Sequence, residues 1–329
     1  MQVSQISFNE ASAFYKKIPS QYQVPSLDPV KIYCDSFRSE KLEPIYWLAK
    51  KGTKFLLHSF YIYKNKKLNI SDIECAYGYG GPLGNSLDES FIREVGEKFS
   101  KWCFKKNIIV EFLRLHPLMN HKKFYWGKVI YNRKTAIIDL KSNFFSCYKS
   151  GRKTDLKTAN NHKYELKKVS YKVMLESFPN IYYENMKYIN AKNFYLFNLK
   201  YFEHLCSSNI VDNWLIYRNN QVISGAIILK NNLSRIVEYH LSSRKDFKDK
   251  STVYLIHNLC EFYKDKKYEV FYLGGGRGTE DNDSLLTFKK GFTPKELDFN
   301  IGFEVYDKDK YYFLKKNFKG DTSKILFYR

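Results

Sequence analysis

Short apolar runs and stretches with helical spacing follow one another along the 329 residues. In the first half, the positions Phe91, Val95 and Phe99 recur at intervals of four, which predicts a helix over 88–106. Apolar runs bounded by polar turns such as Lys51-Gly-Thr53 predict strands. The predicted strands of this half lie at 45–50, 54–63, 73–77, 108–115, 128–131 and 135–140.

The second half repeats the same order of elements. Helix 252–266 corresponds to helix 88–106, and strand 268–274 corresponds to strand 108–115. A long-period repeat of this kind predicts two copies of one domain rather than a solenoid. The other predicted elements are strands at 212–217, 221–229 and 235–241, a polar helix after Gly151, a short helix at 284–291 and strands within 296–306. We therefore expect domains at 1–150 and 151–329, each with an α/β fold (a mixed, α+β-type sheet flanked by helices).

The order inside each half predicts where a cleft opens. Consecutive strands with tight turns pair antiparallel, and the strand after the helix can lie parallel to the third strand. A cleft is expected where these two strands part at their carboxyl ends. The glycine-containing loops 78–82 and 274–278 both lie at that predicted end.

Composition restricts the function only loosely. No apolar run approaches the roughly 20 residues of a membrane helix, and the N-terminus lacks the features of a signal peptide, so we expect a soluble, cytoplasmic protein. The net charge of +21 favours anionic ligands, although the excess of Lys over Arg also fits an AT-rich genome. The six cysteines are scattered, which favours buried free thiols and indicates no metal site.

The most informative segment is Phe271-Tyr-Leu-Gly-Gly-Gly-Arg-Gly278, in which an apolar strand runs into glycines. Glycines at a strand end let another molecule approach the backbone, and Lys289 and Lys290 follow on a short helix. This combination predicts a site for a phosphorylated ligand or for a reacting acyl group. Its counterpart in the first half is Arg114-Leu-His-Pro117, which has charged and ring-bearing side chains in place of glycines. We therefore favour the second interpretation, in which the glycines leave room beside a reacting thioester.

Five segments in this order resemble the FemABX-like, tandem-domain branch of the GNAT acyltransferases, and above all its amino-sugar N-acyltransferases from bacterial polysaccharide clusters. They span most of 45–307 and are Ala76-Tyr-Gly-Tyr-Gly-Gly-Pro-Leu83, Phe112-Leu-Arg-Leu-His-Pro-Leu118, Thr135-Ala-Ile-Ile-Asp-Leu140, Glu238-Tyr-His-Leu-Ser242, and Tyr272-Leu-Gly-Gly-Gly276 with Phe288-Lys-Lys-Gly-Phe292. The resemblance implies two GNAT-like domains and acyl transfer to an amine.

The resemblance leaves the acyl donor open between two kinds of member. Some use acyl-CoA as co-substrate, without a permanently bound cofactor, and acylate nucleotide-linked amino sugars for O-antigen or capsule. Cell-wall members use aminoacyl-tRNA and extend peptidoglycan bridges. The long charged heptad arm of some cell-wall members has no counterpart here, so our first expectation is transfer of an acetyl or hydroxyacyl group from acyl-CoA to a nucleotide-linked amino sugar. The alternatives are an aminoacyl-tRNA-dependent transferase and a nucleic-acid-binding protein without catalysis. The oligomeric state stays open.

The donor side of the site is assigned to the loop before helix 252–266 and to the glycine cluster. The usual Arg/Gln-x-x-Gly-x-Gly/Ala loop is replaced by Ser242–Ser251, so a CoA diphosphate would depend on basic side chains and the helix N-terminus. Backbone N–H groups around Leu241 are expected to polarise the carbonyl. The donor-binding candidates are Leu241, Arg244, Lys245, Lys248, Gly274, Gly275 and Gly276.

Amine acylation by direct attack needs a proton acceptor and a polarised carbonyl. Ile236, Glu238 and His240 alternate with Val237, Tyr239 and Leu241 on the predicted strand. His240 is the candidate base, or else a structural histidine, and Glu238 is the fallback. By resemblance, Lys289 contacts a substrate phosphate or stabilises developing charge; the alternative is a solvated helix lysine.

The acceptor side is assigned to residues of both halves. Tyr77 and Tyr79 flank glycines and suit stacking on a base or sugar. Arg114 and His116 are candidates for diphosphate or sugar contacts, with a partly buried ion pair as the alternative for Arg114. Arg277 and Asp283 complete the set, and Asp283 also suits a helix cap.

Overall fold

The computed structural model of the chain describes residues 1–246, 249–280 and 282–329, and at 119 and 120 the backbone alone. The helices are α1 (Phe8–Lys16), α2 (Pro29–Ser36), α3 (Glu89–Lys105), α4 (Ser150–Asn160), α5 (Tyr171–Tyr188), α6 (Leu199–Ser207), α7 (Ser251–Asp265), α8 (Ser284–Lys289) and α9 (Lys308–Asn317). The strands are β1 (Gln2–Ile6), β2 (Pro44–Lys51), β3 (Lys54–Asn65), β4 (Ile70–Glu74), β5 (Leu83–Gly84), β6 (Ile108–Leu115), β7 (Lys128–Asp139), β8 (Glu165–Val169), β9 (Val211–Arg218), β10 (Gln221–Asn231), β11 (Ile236–Arg244), β12 (Val270–Gly275) and β13 (Glu296–Val305).

The chain divides into two compact units, which do not correspond to its N-terminal and C-terminal halves. The first unit consists of residues 1–132 with 298–329, and the second consists of residues 133–297. The expected boundary at 150/151 therefore lies inside the second unit. The reason is strand pairing: β13 adds to β6 of the first unit at 300–305, whereas 135–139 of β7 add to β12 of the second unit. The apolar pattern predicts that these strands exist, but it does not name their partners.

The first unit carries a mixed sheet with helices on both faces. Its strand order is β1-β2-β3-β4-β6-β13, with β4 and β6 parallel and the other neighbours antiparallel. Trp47 of β2 packs its ring against Phe99 of α3, with ring centroids 4.8 Å apart. The adjacent Tyr46 points to the other face, where its hydroxyl donates to Pro29 O at the start of α2.

The second unit has the same plan in the order β7-β12-β11-β10-β9-β8, and β11 and β12 are its parallel pair. One apolar core joins α4 and α7 to the sheet, including Leu156, Leu255 and Phe271. On the opposite face α5 approaches β10 so closely that a Cβ on Gly225 would lie 2.9 Å from Phe178. Both units are thus mixed sheets flanked by helices, which confirms the expected fold class.

Most predicted elements are present within a residue or two. Helix 88–106 is α3, helix 252–266 is α7 and strand 108–115 is β6, whereas 128–131 and 135–140 are parts of one strand, β7. The sequence analysis missed α5, which contains Pro179 in its interior, and α6, which has only nine residues. The terminal helices were missed as well.

The prediction of buried free thiols is confirmed for Cys34, Cys75, Cys103, Cys206 and Cys260, while Cys147 is exposed. Within the part of the chain that the structure describes, no helix combines the length and the hydropathy needed to cross a bilayer.

Candidate functional site

The parallel strands β11 and β12 part where the sequence predicts. Their pairing runs from Ile236↔Val270 to Glu238↔Tyr272 and ends there, although both strands continue. The outer edges of the two strands stay paired, β11 to β10 and β12 to β7. A cleft between their carboxyl ends follows, with β11 on one side and the glycine cluster on the other.

A β-bulge in β11 lies at the start of this cleft. Ile228 of β10 is opposite Tyr239, but Ile227 is opposite Leu241, so His240 is the additional residue. A bulge bends its strand and changes the direction of its side chains. Beyond the bulge, the odd-numbered side chains face the other side of the sheet. Val237, before the bulge, packs in the core against α7, whereas Ser243, after the bulge, donates a hydrogen bond to Ile181 O of α5. Leu241 therefore does not share a face with Val237 and Tyr239, as the unbroken alternation predicted.

The His240 ring is held by a residue that the sequence analysis missed. Its Nε2 lies 2.9 Å from the hydroxyl of Tyr201, a fully buried residue of α6. His240 itself is half-buried, and Glu238, two residues earlier on β11, is only 3% exposed. A half-buried imidazole with a phenol on one nitrogen is oriented and can exchange a proton with an adjacent group. No local pattern links Tyr201 to a strand 39 residues later.

The glycine cluster is a fixed turn whose carbonyl groups are occupied by cationic side chains. Lys289 Nζ donates to Gly275 O over 2.7 Å, and Arg133 Nη1 donates to Gly276 O and Gly278 O over 3.3 and 2.5 Å. Gly274 has a φ of +78°, which favours glycine. Arg133, on β7, was not among the predicted residues, because it lies far from the cluster in sequence.

Asp283 ties the same turn from the other side. Its Oδ2 accepts hydrogen bonds from the backbone N–H groups of Arg277 and Gly278, and its Oδ1 accepts one from Leu286 N, each over 2.9 Å. Burial opposes ionisation, but these donors outweigh it and lower the pKa of Asp283. Asp283 is thus the N-cap of α8 and the anchor of the turn, while the Arg277 side chain is exposed.

Lys289 is the electrostatically unusual group of the cleft. Burial lowers the pKa of its ammonium group from 10.5 to about 8, and the carboxylate of Asp283 only partly opposes this shift. Because its ammonium group also donates to Gly275 O, Lys289 is not a freely solvated helix lysine. Lysines with strongly shifted pKa values occur preferentially at functional sites.

The N-terminus of α7, where a donor diphosphate was expected, already holds a carboxylate. Asp249 is 8% exposed, and its Oδ1 accepts from both the N–H and the hydroxyl of Ser251 over 3.1 and 2.6 Å. Arg244 lies at the first turn, where its Nη1 donates to Thr252 Oγ1 over 3.3 Å, and Lys245 is exposed. Lys248 lies outside the described residues.

The candidates of the first half gather in the first unit. Tyr79 packs edge-on against His116, with centroids 4.6 Å apart, and His116 Nδ1 accepts from Leu118 N. Tyr77 N donates to Asp35, and Arg114 Nη1 lies 3.7 Å from Cys75 Sγ. These contacts do not form the partly buried ion pair considered for Arg114.

The parallel strands of the first unit do not leave an equivalent opening. After β4 the chain comes back to the end of β6. There Gly80 forms a parallel bridge with Leu115, and its N–H donates to Arg114 O over 2.9 Å. A Cβ on Gly80 would lie 2.2 Å from that of Cys75, so only glycine fits. The chain's own backbone occupies this gap, and the open cleft is that of the second unit.

No group of His, Cys, Asp and Glu side chains suited to a metal ion occurs among the residues that the structure describes. The cleft offers a histidine with its tyrosine, a buried glutamate, a lysine with a lowered pKa and the diverging ends of β11 and β12. Such a set can orient an amine, accept its proton and polarise a carbonyl.

Comparison with known proteins gives a consistent picture of the fold. No protein-family model and no curated protein match the sequence. Among solved structures, FemX is similar with a TM-score of 0.72 and 10% identity, over 95% of this chain and 100% of that chain. The C-terminal domain of a putative lysylphosphatidylglycerol synthetase from Agrobacterium fabrum is similar with a TM-score of 0.63 and 12% identity, over 94% of this chain and 95% of that chain.

A tandem GNAT protein from the clavulanic acid biosynthesis pathway gives a TM-score of 0.54 and 8% identity, over 93% of this chain and 98% of that chain. At such identities the likeness concerns the fold. The protein thus has the tandem GNAT-type fold that it shares with FemX.

Proposed function

We propose that the protein is an N-acyltransferase that takes an aminoacyl group from aminoacyl-tRNA and transfers it to an amine of a peptidoglycan precursor. The position of Asp249 at the N-terminus of α7 is the observation that carries this choice of donor. In an acyl-CoA-dependent enzyme of this fold, the diphosphate would rest on the N-terminus of α7. Here a nearly buried carboxylate accepts a hydrogen bond from Ser251 N, the first N–H group of α7, and would repel a diphosphate.

The likeness to FemX over almost the whole of both chains supports the same choice. The net charge of +21 suits a polyanionic donor. This proposal replaces our first expectation of an acyl-CoA donor. It also implies a cytoplasmic location, because aminoacyl-tRNA is made in that compartment.

The reaction is a direct transfer in the cleft of the second unit. The acceptor amine attacks the ester carbonyl of the aminoacyl group, a C–N bond forms, and the C–O bond to the terminal ribose breaks. His240, oriented by Tyr201, accepts the proton of the amine and returns it to the leaving ribose oxygen. Lys289 and the backbone N–H of Leu241 stabilise the negative charge on the carbonyl oxygen.

The second candidate is transfer of an acyl group from acyl-CoA to a nucleotide-linked amino sugar, as in O-antigen synthesis. One observation favours it: Arg244 bonds to Thr252, so a guanidinium group lies at the first turn of α7. In this case Tyr77, Tyr79, Arg114 and His116 of the first unit are proposed to recognise the nucleotide sugar.

The two donors are distinguished by direct transfer assays. The protein is incubated with radiolabelled aminoacyl-tRNA or with acetyl-CoA, each with amine acceptors of both classes, and the products are identified by mass spectrometry. Transfer from tRNA, with binding that weakens steeply as salt rises, is expected. Transfer from acetyl-CoA alone would overturn the choice of donor, and tight binding of generic RNA without transfer would favour a non-catalytic role.

The variant Asp249→Asn tests the argument directly. Removing the charge should improve binding of CoA, measured as a rise in thermal stability with CoA concentration, and should leave transfer from aminoacyl-tRNA unchanged. Unchanged CoA binding would show that this carboxylate does not exclude the diphosphate.

The roles of His240 and Tyr201 are tested with the same assay. His240→Ala should lower turnover by roughly 10²–10⁴ if His240 is the base. Tyr201→Phe should keep the fold but shift the pH profile, because it removes the hydroxyl that contacts Nε2 of the imidazole. His162→Ala is the matched control in the same unit and should have no effect. Full activity of His240→Ala would assign the proton transfer to Glu238 or to water.

A further inference from the structure

The second unit has a pocket that is separate from the cleft, at the opposite end of the same strands. Its volume is about 330 Å³, within the range of small-molecule sites. It is lined by Lys168, Asp212, Lys230, Asn232, Arg235, Phe262, Tyr263, Lys266, Lys267 and Tyr268. Arg235 precedes β11 and Tyr268 precedes β12, whereas the cleft begins beyond Glu238. At about 3.3 Å per residue, β11 carries the chain roughly 13 Å from Ile236 to His240.

The centre of the pocket is a buried carboxylate that holds two lysines. Asp212 Oδ1 accepts from Lys168 Nζ over 2.8 Å and from Lys230 Nζ over 2.5 Å, and its side chain is 5% exposed. Its Oδ2 accepts from the hydroxyl of Tyr263, a fully buried residue of α7. Burial opposes ionisation of Asp212, but the two lysines outweigh it and lower its pKa. The carboxylate is therefore charged and orients both ammonium groups.

Positive charge exceeds negative charge in this pocket. Asp212 balances one of its two lysines, and Arg235 is paired with Glu269 outside the lining. Lys266 and Lys267 make no ion pair with any residue that the structure describes. An ammonium group has three donors, so Lys168 and Lys230 each retain two after bonding to Asp212. An anionic group with several oxygen acceptors satisfies both the charge and the donors.

The other lining groups are partly exposed aromatic rings. Phe262 and Tyr268 are half-buried, and Lys266 Nζ lies 5.9 Å from the centroid of the Phe262 ring. The Tyr268 hydroxyl is tied to Asn232 Oδ1 over 2.5 Å, which fixes its ring at the edge of the pocket. Aromatic faces beside a cluster of lysines suit a planar heterocycle that carries a phosphate.

We propose that this pocket is a second ligand site, which binds a nucleoside phosphate with its phosphate on Lys168 and Lys230 and its base against Phe262 and Tyr268. The site is distinct from the acyl-transfer cleft, and its existence does not depend on which acyl donor the cleft uses. Because α7 has its N-terminus near the cleft and its C-terminal end in the pocket, an occupant contacts the helix that borders both.

Isothermal titration of the full chain with AMP, adenosine and inorganic phosphate tests the proposal. We expect AMP to bind, adenosine to bind at least tenfold more weakly, and phosphate to compete with AMP. The double variant Lys168→Gln/Lys230→Gln should weaken AMP binding at least tenfold. Lys172→Gln/Lys187→Gln changes the net charge equally at exposed positions of α5 and should not weaken it.

Loss of both lysines leaves Asp212 without these two cationic partners and could cause misfolding, so a second variant tests AMP binding with the Asp212 ion pairs intact. Lys266→Gln/Lys267→Asn removes rim charge and keeps the Asp212 pairs, and Asn tolerates the left-handed backbone of residue 267. It should weaken AMP binding severalfold without lowering the melting temperature. The proposal is overturned if AMP does not bind at millimolar concentration, if adenosine binds as tightly as AMP, or if the α5 control weakens binding as much as the pocket variants do.

Discussion

Replacing Lys289 with methionine should make the protein more stable at neutral pH while abolishing transfer. The ammonium group belongs to a half-buried residue, and desolvation holds its pKa at about 8 instead of 10.5. Each pKa unit corresponds to about 1.4 kcal/mol, so keeping the charge there at pH 7 costs about 3 kcal/mol relative to the unfolded chain. Methionine has a similar length and fills the same space without a charge.

The loss of one hydrogen bond offsets part of this gain. Lys289 Nζ donates to Gly275 O, and removing a charged donor from a half-buried carbonyl costs on the order of 1.5–3 kcal/mol. The net expectation is that the free energy of unfolding of Lys289→Met at pH 7 exceeds that of the wild type by up to about 1.5 kcal/mol. A residue kept at a cost to stability is kept for function, so transfer should fall in the same variant.

The pH dependence carries the sharper test. Between pH 8 and 10.5 the unfolded chain binds the proton of this lysine and the folded chain does not, so the stability of the wild type rises with pH in this window. Below pH 8 both states are protonated and the burial penalty is fully present. The advantage of Lys289→Met should therefore shrink above pH 8 and become a disadvantage near pH 10.

Urea unfolding of both proteins at pH 7.0, 8.5 and 10.0 measures the difference directly. Lys290→Met, on the adjacent lysine that pairs with Glu296, is the matched control and should show no such dependence. A Lys289→Met protein that is less stable at pH 7, or a difference that is constant with pH, would refute the assignment of a buried ammonium group.

Two further predictions concern stability and are read from thermal or urea unfolding. A Cβ on Gly276 would lie 2.2 Å from Asp283 Oδ1, so Gly276→Ala should lower the free energy of unfolding by about 1–3 kcal/mol and reduce transfer. Gly151→Ala, in open space on a helix, is the control and should be neutral or stabilising. Equal effects of the two substitutions would contradict the close contact at Gly276. Phe99→Ala, in the core of the first unit, should cost about 3–5 kcal/mol, whereas Phe104→Ala, 63% exposed, should change stability by about 0.5 kcal/mol at most. A small effect at Phe99 would mean that the core of this unit is loosely packed.

The parts of the fold that were predicted are those encoded by neighbouring residues. The four-residue spacing of Phe91, Val95 and Phe99 sufficed for α3, because a helix buries one face whatever it packs against. Apolar runs between turns sufficed for β6, β11 and β12, whereas β4 lies at Ile70–Glu74, three residues before the predicted strand 73–77. Element order predicted that β11 and β12 run parallel and part at one end, since they are joined through a helix. The same order in the first unit leaves no opening, because Gly80 pairs with Leu115 of β6.

The candidate site was predicted in part for the same reason. Glu238, His240 and the glycine cluster are positioned by their own strands, so their sequence context placed them at the cleft. Tyr201, Arg133 and Asp249 were missed, because each acts through a contact whose partner is decided by folding. The bulge at His240 likewise inserts one residue into an otherwise regular alternation, and only pairing with β10 reveals it.

The sequence by itself determined the two mixed sheets, their parallel pairs and the glycine turn, because hydrophobic period and turn chemistry act over a few residues. Only the tertiary structure decided which strand completes which unit, since β6 recruits β13 from the other end of the chain and β12 recruits β7. It also decided that the glycine turn is fixed by Lys289, Arg133 and Asp283, and that the N-terminus of α7 holds a carboxylate. These choices depend on burial and on contacts between distant residues, which determine the charge of a lysine and the space beside a backbone.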